Sequence, residues 1–199
     1  MRKLAVLAAA VAATATLPLN AAAAPENYTF DPYHTYVNFA VDHLGMSTMY
    51  GRFNKTVGKM AMDPAARTGS LEITVETASI DTGDGDKGSR PRSRDEHLRL
   101  ADFFNSAEFP RMTYKSTGVK FSGDNPAELE GQATLLGVTR PVNLKVDRWK
   151  CGAHPFSKKA MCGGNASGAI KRSDFGMKFG APALGDEVKL TIEFEAYKD

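Results

Sequence analysis

Runs of alternating apolar and polar residues recur along most of the chain and are typical of half-buried β-strands. In YVNFAV (36–41), for example, every second residue is large and apolar. Because the side chains of a strand point alternately to its two faces, each run places its apolar residues on one face. The pattern predicts eight antiparallel strands, over 36–41, 53–62, 71–77, 112–121, 127–136, 141–148, 165–172 and 188–197.

One segment, SRDEHLRLADFFN, has a helical period instead. Leu100, Phe103 and Phe104 recur at the i, i+3 and i+4 spacing of an amphipathic helix. Ser93 and Glu96 have the spacing of a capping box, which would satisfy free amides at the start of that helix. The sequence therefore predicts one short helix among the strands.

Eight strands without helical crossovers predict an all-β fold, a closed up-and-down antiparallel barrel. Eight is also the number of strands at which a barrel interior can hold a small or elongated ligand. Methionine adapts to irregular spaces, and six methionines are expected among the inward residues: Met46, Met49, Met60, Met62, Met112 and Met177. Composition alone leaves a ligand cavity and an ordinary core equally open.

Residues 1–23 have the pattern of a secretory signal peptide, with Arg2 and Lys3 before the apolar run LAVLAAAVAATATL. Its removal would leave one mature domain, residues 24–199, and implies a periplasmic protein. The 25 basic residues of the chain then lose two, so 23 remain against 23 acidic residues. This balance argues against a nucleic-acid partner, because phosphate binding needs a clustered basic excess.

The chain has two cysteines, Cys151 and Cys162, on either side of a loop between two predicted strands. Disulfides form in the oxidising compartments that exported proteins reach, so we predict that these two residues are bonded. A metal site with His154 as a third ligand is the alternative. The Cys-x2-Cys or His-x3-His spacing of zinc sites is absent, however, so the disulfide is favoured.

Two histidines, His34 and His43, frame the first predicted strand. They are nine positions apart, so an unbroken strand would put them on opposite faces and roughly 30 Å apart. His43 shares the face of the apolar row. A metal site of His43 and His97 with Asp95 or Asp42 finds no support in the spacing. Histidines that hydrogen-bond the protein or the polar head of a ligand are favoured instead.

The motifs of nucleophilic and phosphate chemistry are missing from the sequence. It contains no G-x-S-x-G elbow, and GDGDKG is acidic and does not lead into a helix of the phosphate-loop kind. We therefore expect a protein that is not an enzyme, with no metal and no cofactor other than a bound ligand.

Several stretches together carry a family likeness. They run in order over nearly the whole mature chain: DPYHTYVNFAVDHLGMSTMYGRF, SIDTG, RDEHLRLADFF with the following EFP, LLGVTRPVNL, KRSDFGM and DEVKLTIEFEA. On these motifs the chain resembles the YceI-like family of exported polyisoprenoid-binding proteins. The resemblance implies a lipocalin-like barrel whose long apolar cavity holds a polyisoprenoid or an isoprenoid quinone. It also favours cavity lining as the role of the inward methionines.

The chain departs from the family pattern at two loops. The loop over 83–93 is longer than the link we associate with the family, and the segment 151–162 with its two cysteines is not a general family feature. Both are expected near the ends of the barrel, where they could change access or partners. The barrel itself is expected to be unaffected.

The hypothesis of a lipid carrier assigns candidate residues to the two parts of a bound lipid. The polar head is expected to meet His43, Arg94, Asp95 and His97. The tail is expected to contact an apolar lining of nine residues, although each could equally serve ordinary core packing: Phe39, Val41, Phe53, Ile73, Phe103, Phe104, Leu144, Ile192 and Phe194.

Two other classes of function stay open at this point. One is an enzyme or redox accessory that acts on the bound lipid or quinone. The other is a stress-related interaction protein whose cavity is incidental. Besides the isoprenoid lipid, the candidate partners are a membrane cytochrome or other inner-membrane protein and a second copy of the chain.

Overall fold

The computed structural model describes residues 24–199, so the predicted signal peptide lies outside the described residues. One antiparallel sheet dominates this part of the chain. Its strands are β1 Glu26–Phe30, β2 Tyr36–His43, β3 Ser47–Phe53, β4 Thr56–Asp63, β5 Thr68–Glu76, β6 Ile80–Asp81, β7 Arg111–Ser122, β8 Asn125–Leu135, β9 Val138–Ala153, β10 Ala160–Lys171 and β11 Leu184–Lys198.

The sheet closes on itself as the predicted barrel. Strands β1, β4, β5, β7, β8, β9, β10 and β11 pair in that order, and β11 returns to pair with β1, which makes a ring of eight. The remaining strands extend from this ring, because β2 also pairs with β11, β3 with β2, and the short β6 with β3. The eight-stranded barrel is confirmed.

Two kinked strands and the two-residue strand β6 explain why eleven strands form an eight-stranded barrel. Strands β1 and β2 occupy the same edge of β11, one above the other, and β3 continues into β4 in the same direction. The prediction of one unbroken strand over 53–62 was therefore wrong, because the chain turns at Asn54 and Lys55 between β3 and β4. The sequence prediction also missed β1, β6 and most of β3, which are short or lack strict alternation.

The kink between β1 and β2 is held against the last strand. Thr35 is fully buried, and its Oγ1 lies 3.3 Å from the carbonyl oxygen of Glu195. The amide of Asp31 donates to the same carbonyl at 2.8 Å. Nδ1 of His34 lies 2.8 Å from Oδ2 of Asp31. The chain is therefore fixed to β11 at the point where it changes from one half of the barrel to the other.

The predicted helix forms but is short. Helix α1 spans Arg94–Leu98, and the capping box of Ser93 and Glu96 is present with both of its hydrogen bonds. Beyond Leu98 the chain continues in turns, yet Phe103 remains buried. No helix within residues 24–199 is long and apolar enough to cross a membrane.

The two ends of the barrel differ in what they carry. At one end, called the upper end here, lie the β2–β3 turn, helix α1 and the segment 172–183. At the other, lower end lie both described termini and the long β9–β10 hairpin. A disulfide joins Cys151 to Cys162 across that hairpin, which confirms the predicted bridge.

The disulfide is expected to contribute to stability without affecting the upper end. In the chain-entropy model, a bridge that closes a loop of this length is worth about 3 kcal/mol. The double variant Cys151→Ala, Cys162→Ala should lose about this much free energy of unfolding in urea titrations. Under reducing conditions the wild-type protein should fall to the stability of the variant. Equal stabilities under oxidising conditions would contradict the prediction.

A second prediction concerns pH at the kink. The hydrogen bond with Asp31 holds the pKa of His34 above the ordinary value of histidine. A raised folded-state pKa stabilises the fold fully below the unfolded-state value of about 6.5, and this stabilisation is lost as the pH rises through the folded-state pKa. In Asp31→Asn the pKa of His34, measured by NMR titration of its ring, should fall.

Glu195→Gln is the matched control, because the Glu195 carboxylate lies farther from the His34 ring, at 4.0 Å. It should lower the pKa of His34 less than Asp31→Asn does. Equal shifts in the two variants, or none in Asp31→Asn, would show that this hydrogen bond does not set the pKa.

Candidate functional site

The upper half of the barrel encloses a cavity of about 370 Å³. This volume is at the lower end of the range of roughly 300–1,000 Å³ that is usual for small-molecule sites. The wall is predominantly apolar and is built from the inward faces of the strands and from segment 97–104. Of the wall residues, Asp42 and Phe179 are exposed, so the cavity opens beside them, at the upper end.

The structure places eight of the nine predicted tail-lining residues on this wall: Phe39, Val41, Phe53, Ile73, Phe103, Phe104, Leu144 and Ile192. Phe194 lies outside it. Its ring packs against Phe30 and Trp149 in the lower half, with centroids 5.9 and 5.8 Å apart. Alternation along β11 places Phe194 on the inner face, as expected, but below the cavity.

A second, smaller void of about 40 Å³ lies in the lower half, between Phe30, Met60, Trp149 and their neighbours. Ile73, Leu144 and Ile192 line both spaces. These three side chains therefore form a floor between the cavity and the void below it.

The inward methionines divide between the two spaces. Met49, Met112 and Met177 line the cavity, whereas Met60 and Met62 line the lower void. The expectation of an inward position was wrong for Met46, which is 87% exposed. Met46 lies in the β2–β3 turn, beyond the end of the inward row of β2.

Most polar wall residues lie at the upper end; Tyr114 is an exception, because its hydroxyl reaches the carbonyl oxygen of Leu129, a residue that lines the lower void. Asp42 and His43 come from the end of β2, Thr82 and Arg94 from the segment on either side of the 83–93 loop, and Thr134 from the end of β8. A ligand in this cavity would therefore meet polar groups at the opening and apolar groups farther down.

Arg94 is a polar wall residue whose guanidinium makes three directed contacts. Its Nε donates to Oγ1 of Thr82 at 2.7 Å and its Nη2 to the carbonyl oxygen of Thr82 at 3.0 Å. Nη1 points at Sδ of Met49, 3.8 Å away. A thioether is a weak acceptor, so this nitrogen keeps donor capacity toward the cavity.

Asp95 does not join the other predicted head-group residues. It is buried and absent from the cavity wall, and its Oδ1 accepts from both the amide and the hydroxyl of Thr82. Because it lies on the side of α1 that faces the start of the 83–93 loop, it positions Thr82, which in turn holds the Arg94 guanidinium. Asp95 thus acts through its neighbours.

His97 and His43 both line the cavity. Nε2 of His97 lies 2.8 Å from Oδ2 of Asp102. Its ring packs edge-on against Phe103 and Phe179, with centroids 5.1 and 5.2 Å apart. His97 therefore fixes the aromatic part of the wall near the opening and keeps its second ring nitrogen, Nδ1, for other contacts.

His34 lies outside the cavity, at the kink below it. Within residues 24–199, the one group of metal-type ligands that lie close together is Asp31, His34 and Glu195, with ligand atoms within 4.8 Å of one another. Burial would raise the pKa of Asp31, but the hydrogen bonds with His34 and the Tyr33 amide outweigh it and lower the pKa. The closeness of these three residues is explained by the hydrogen bonds that hold the kink between β1 and β2.

Two important residues were not singled out from the sequence. Arg172 is buried and donates to four carbonyl oxygens, those of Met177, Phe179, Leu184 and Gly185. It thereby fixes the segment that ends the upper wall. The stretch KRSDFGM, quoted for the family likeness, contains it and was the available signal.

The second is Tyr114, a wall residue whose hydroxyl lies within hydrogen-bond distance of two carbonyl oxygens, those of Leu129 and Val142, at 3.3 and 3.2 Å. Burial raises the pKa of Tyr114 to about 12, so the hydroxyl stays neutral. The barrel wall therefore satisfies this hydroxyl as a donor.

Comparisons with known proteins agree with this fold. The YceI-like domain model matches residues 28–196. Protein YceI of Escherichia coli O17:K52:H18 is 39% identical over 165 residues, which cover 81% of each chain.

Two solved structures show the same architecture. The YceI protein of Campylobacter jejuni has a TM-score of 0.65 at 27% identity, covering 79% of this chain and 90% of that one. A polyisoprenoid binding domain from Saccharophagus degradans has a TM-score of 0.60 at 16% identity, covering 86% and 98% of the two chains. The chain belongs to the YceI-like family.

Proposed function

We propose that this protein is a periplasmic binding or carrier protein for a long isoprenoid lipid, either a polyisoprenoid or an isoprenoid quinone. One observation carries the proposal: an apolar cavity of about 370 Å³ opens at one end, and most of its polar groups lie at that end. This distribution matches a ligand with a long apolar tail and one small polar head.

The tail would supply most of the affinity. Burial of apolar surface is worth about 25 cal/mol per Å², so several isoprene units against this wall outweigh any single polar contact. The head would set the direction of binding, as the few polar groups of most ligand sites do. Nη1 of Arg94 is the donor that we assign to a head-group oxygen, with His43 and His97 beside it on the wall.

The comparison with the Saccharophagus degradans domain supports the proposal at the level of the fold, since that domain is described as polyisoprenoid binding. The residue types of the wall favour ligand binding over catalysis. His97 and Asp102 form a hydrogen-bonded pair, but the described wall residues include neither a serine nor a cysteine as a partner nucleophile.

Arg94→Gln is expected to weaken binding of an isoprenoid diphosphate or quinone by on the order of tenfold, because one charge-assisted hydrogen bond is lost. Binding of a hydrocarbon of the same length should not change. Arg140→Gln, which changes an exposed arginine at the upper end, is the matched control. Affinities can be measured by isothermal titration calorimetry. Equal losses for the headed and headless ligands would contradict the role of Arg94.

The wider proposal is tested on protein purified from its own periplasm under mild conditions, by native mass spectrometry and lipid extraction. We expect a co-purifying isoprenoid. A protein that is empty, and that also takes up no isoprenoid in vitro, would overturn the carrier function. Conversion of the extracted lipid to a new product, lost in His97→Ala, would establish an enzyme instead.

The floor of the cavity is expected to limit the length of the tail. Ile192→Ala should join the cavity to the lower void and shift the preference among isoprenoids toward longer chains. Ile170→Ala is the control, because Ile170 lines the cavity alone. Each change should cost about 2–5 kcal/mol of stability, so relative affinities across a chain-length series are the relevant measurement. The same shift in both variants would show that the floor does not select length.

A further inference from the structure

The opening of the cavity is bordered by an uncharged, exposed surface. We call it the mouth rim and define it as residues 44–48, in the β2–β3 turn, and residues 179–183. All ten of these residues are exposed and none carries a charge, in a chain that is 24% charged. Leu44, Met46 and Phe179 are the large apolar members, at 49%, 87% and 45% exposure.

The two parts of the mouth rim form one surface. The amide of Leu44 donates to the carbonyl oxygen of Ala183 at 3.0 Å, which holds the two segments side by side. Phe179 belongs to both the rim and the cavity wall, and His43 and Leu184, which adjoin the two segments, also line the wall. Through Phe179 and Leu184, apolar surface therefore runs from the outside of the protein into the cavity.

The fold holds this surface in place. The Arg172 guanidinium donates to the carbonyl oxygens of Phe179 and Leu184, at 2.8 and 3.1 Å. The ring of Phe179 packs against His97, with centroids 5.2 Å apart. Exposed apolar patches of this kind on a soluble protein mark sites of contact with a protein or a membrane.

We propose that the mouth rim docks on the surface of a lipid bilayer, so that the isoprenoid passes between the bilayer and the cavity without crossing water. This inference rests on the proposed function. A bilayer is favoured over a protein partner because the rim borders the opening, and hydrocarbon there continues the environment of the cavity. A protein seated on the rim would close the opening.

The charges beside the rim have both signs, with Lys178 on one side and Asp42 on the other. Docking should therefore depend on apolar insertion and only weakly on salt, since interfacial binding scales with the apolar area that enters the membrane. Vesicles of zwitterionic phosphatidylcholine should be sufficient.

The test is co-sedimentation of the mature chain with phosphatidylcholine vesicles at low and high salt. The double variant Leu44→Asn, Met46→Asp should bind at least about tenfold less, because two apolar side chains no longer enter the bilayer. Asparagine is chosen at position 44 because Leu44 has a φ of 63°, which asparagine tolerates. Phe156→Asp is the matched control: Phe156 is 89% exposed, but at the lower end. It should bind as the wild type does.

Uptake of a fluorescent isoprenoid separates this inference from the proposed function. From ethanol solution, without vesicles, the rim variant should load like the wild type. From vesicles its loading should be about tenfold slower, in proportion to its lost binding. Failure of the wild type to load from either source would overturn the proposed function. Co-sedimentation would still show whether the mouth rim binds the bilayer.

Three results would overturn the docking inference. The rim variant could bind vesicles as well as the wild type, or the Phe156 control could lose as much binding as the rim variant. The third result is a wild-type protein that does not bind vesicles. If that wild type also forms a dimer that the rim substitutions dissociate, the rim is a contact between two copies of the chain.

Discussion

The last strand is the constraint on which the rest of the structure depends. Strand β11 pairs with β10 along one edge, and along the other it holds β2 in its first part and β1 in its last part. An eight-stranded sheet that failed to close here would expose the unpaired amides and carbonyls of two edges to water and to other chains. The contacts of Thr35 and Asp31 with Glu195 fix the crossing from β1 to β2, so they fix the level at which β11 changes partner.

The interior differs between the two halves of the barrel. Below the kink, large side chains such as Phe30, Met60 and Trp149 fill the barrel almost completely. Above it, β3 pairs only with β2 and the short β6 within the described residues, and the segment around α1 covers the side of the barrel. That segment brings Arg94 and His97 to the cavity, so the irregular part of the fold supplies two of its polar groups.

Period-two alternation was sufficient to predict the barrel and the inward direction of its rows, including Phe39 and Ile192. It could not give the height of a residue along the barrel, because alternation defines a face and not a depth, and Phe194 therefore lies below the expected cavity. The helical stripe predicted that Phe103 is buried, although the chain beyond Leu98 turns and the helix ends. The separate role of Asp95 depends on Thr82, thirteen residues away, and no local pattern contains such a contact.

The packed lower half has a kinetic consequence for any ligand held above it. The floor of Ile73, Leu144 and Ile192 closes the cavity from below, so the opening at Phe179 serves for both entry and exit. A second molecule cannot push the first one through the barrel, and replacement must wait until the cavity has emptied. The exchange rate would then be set by withdrawal of the tail, independently of how concentrated the incoming lipid is.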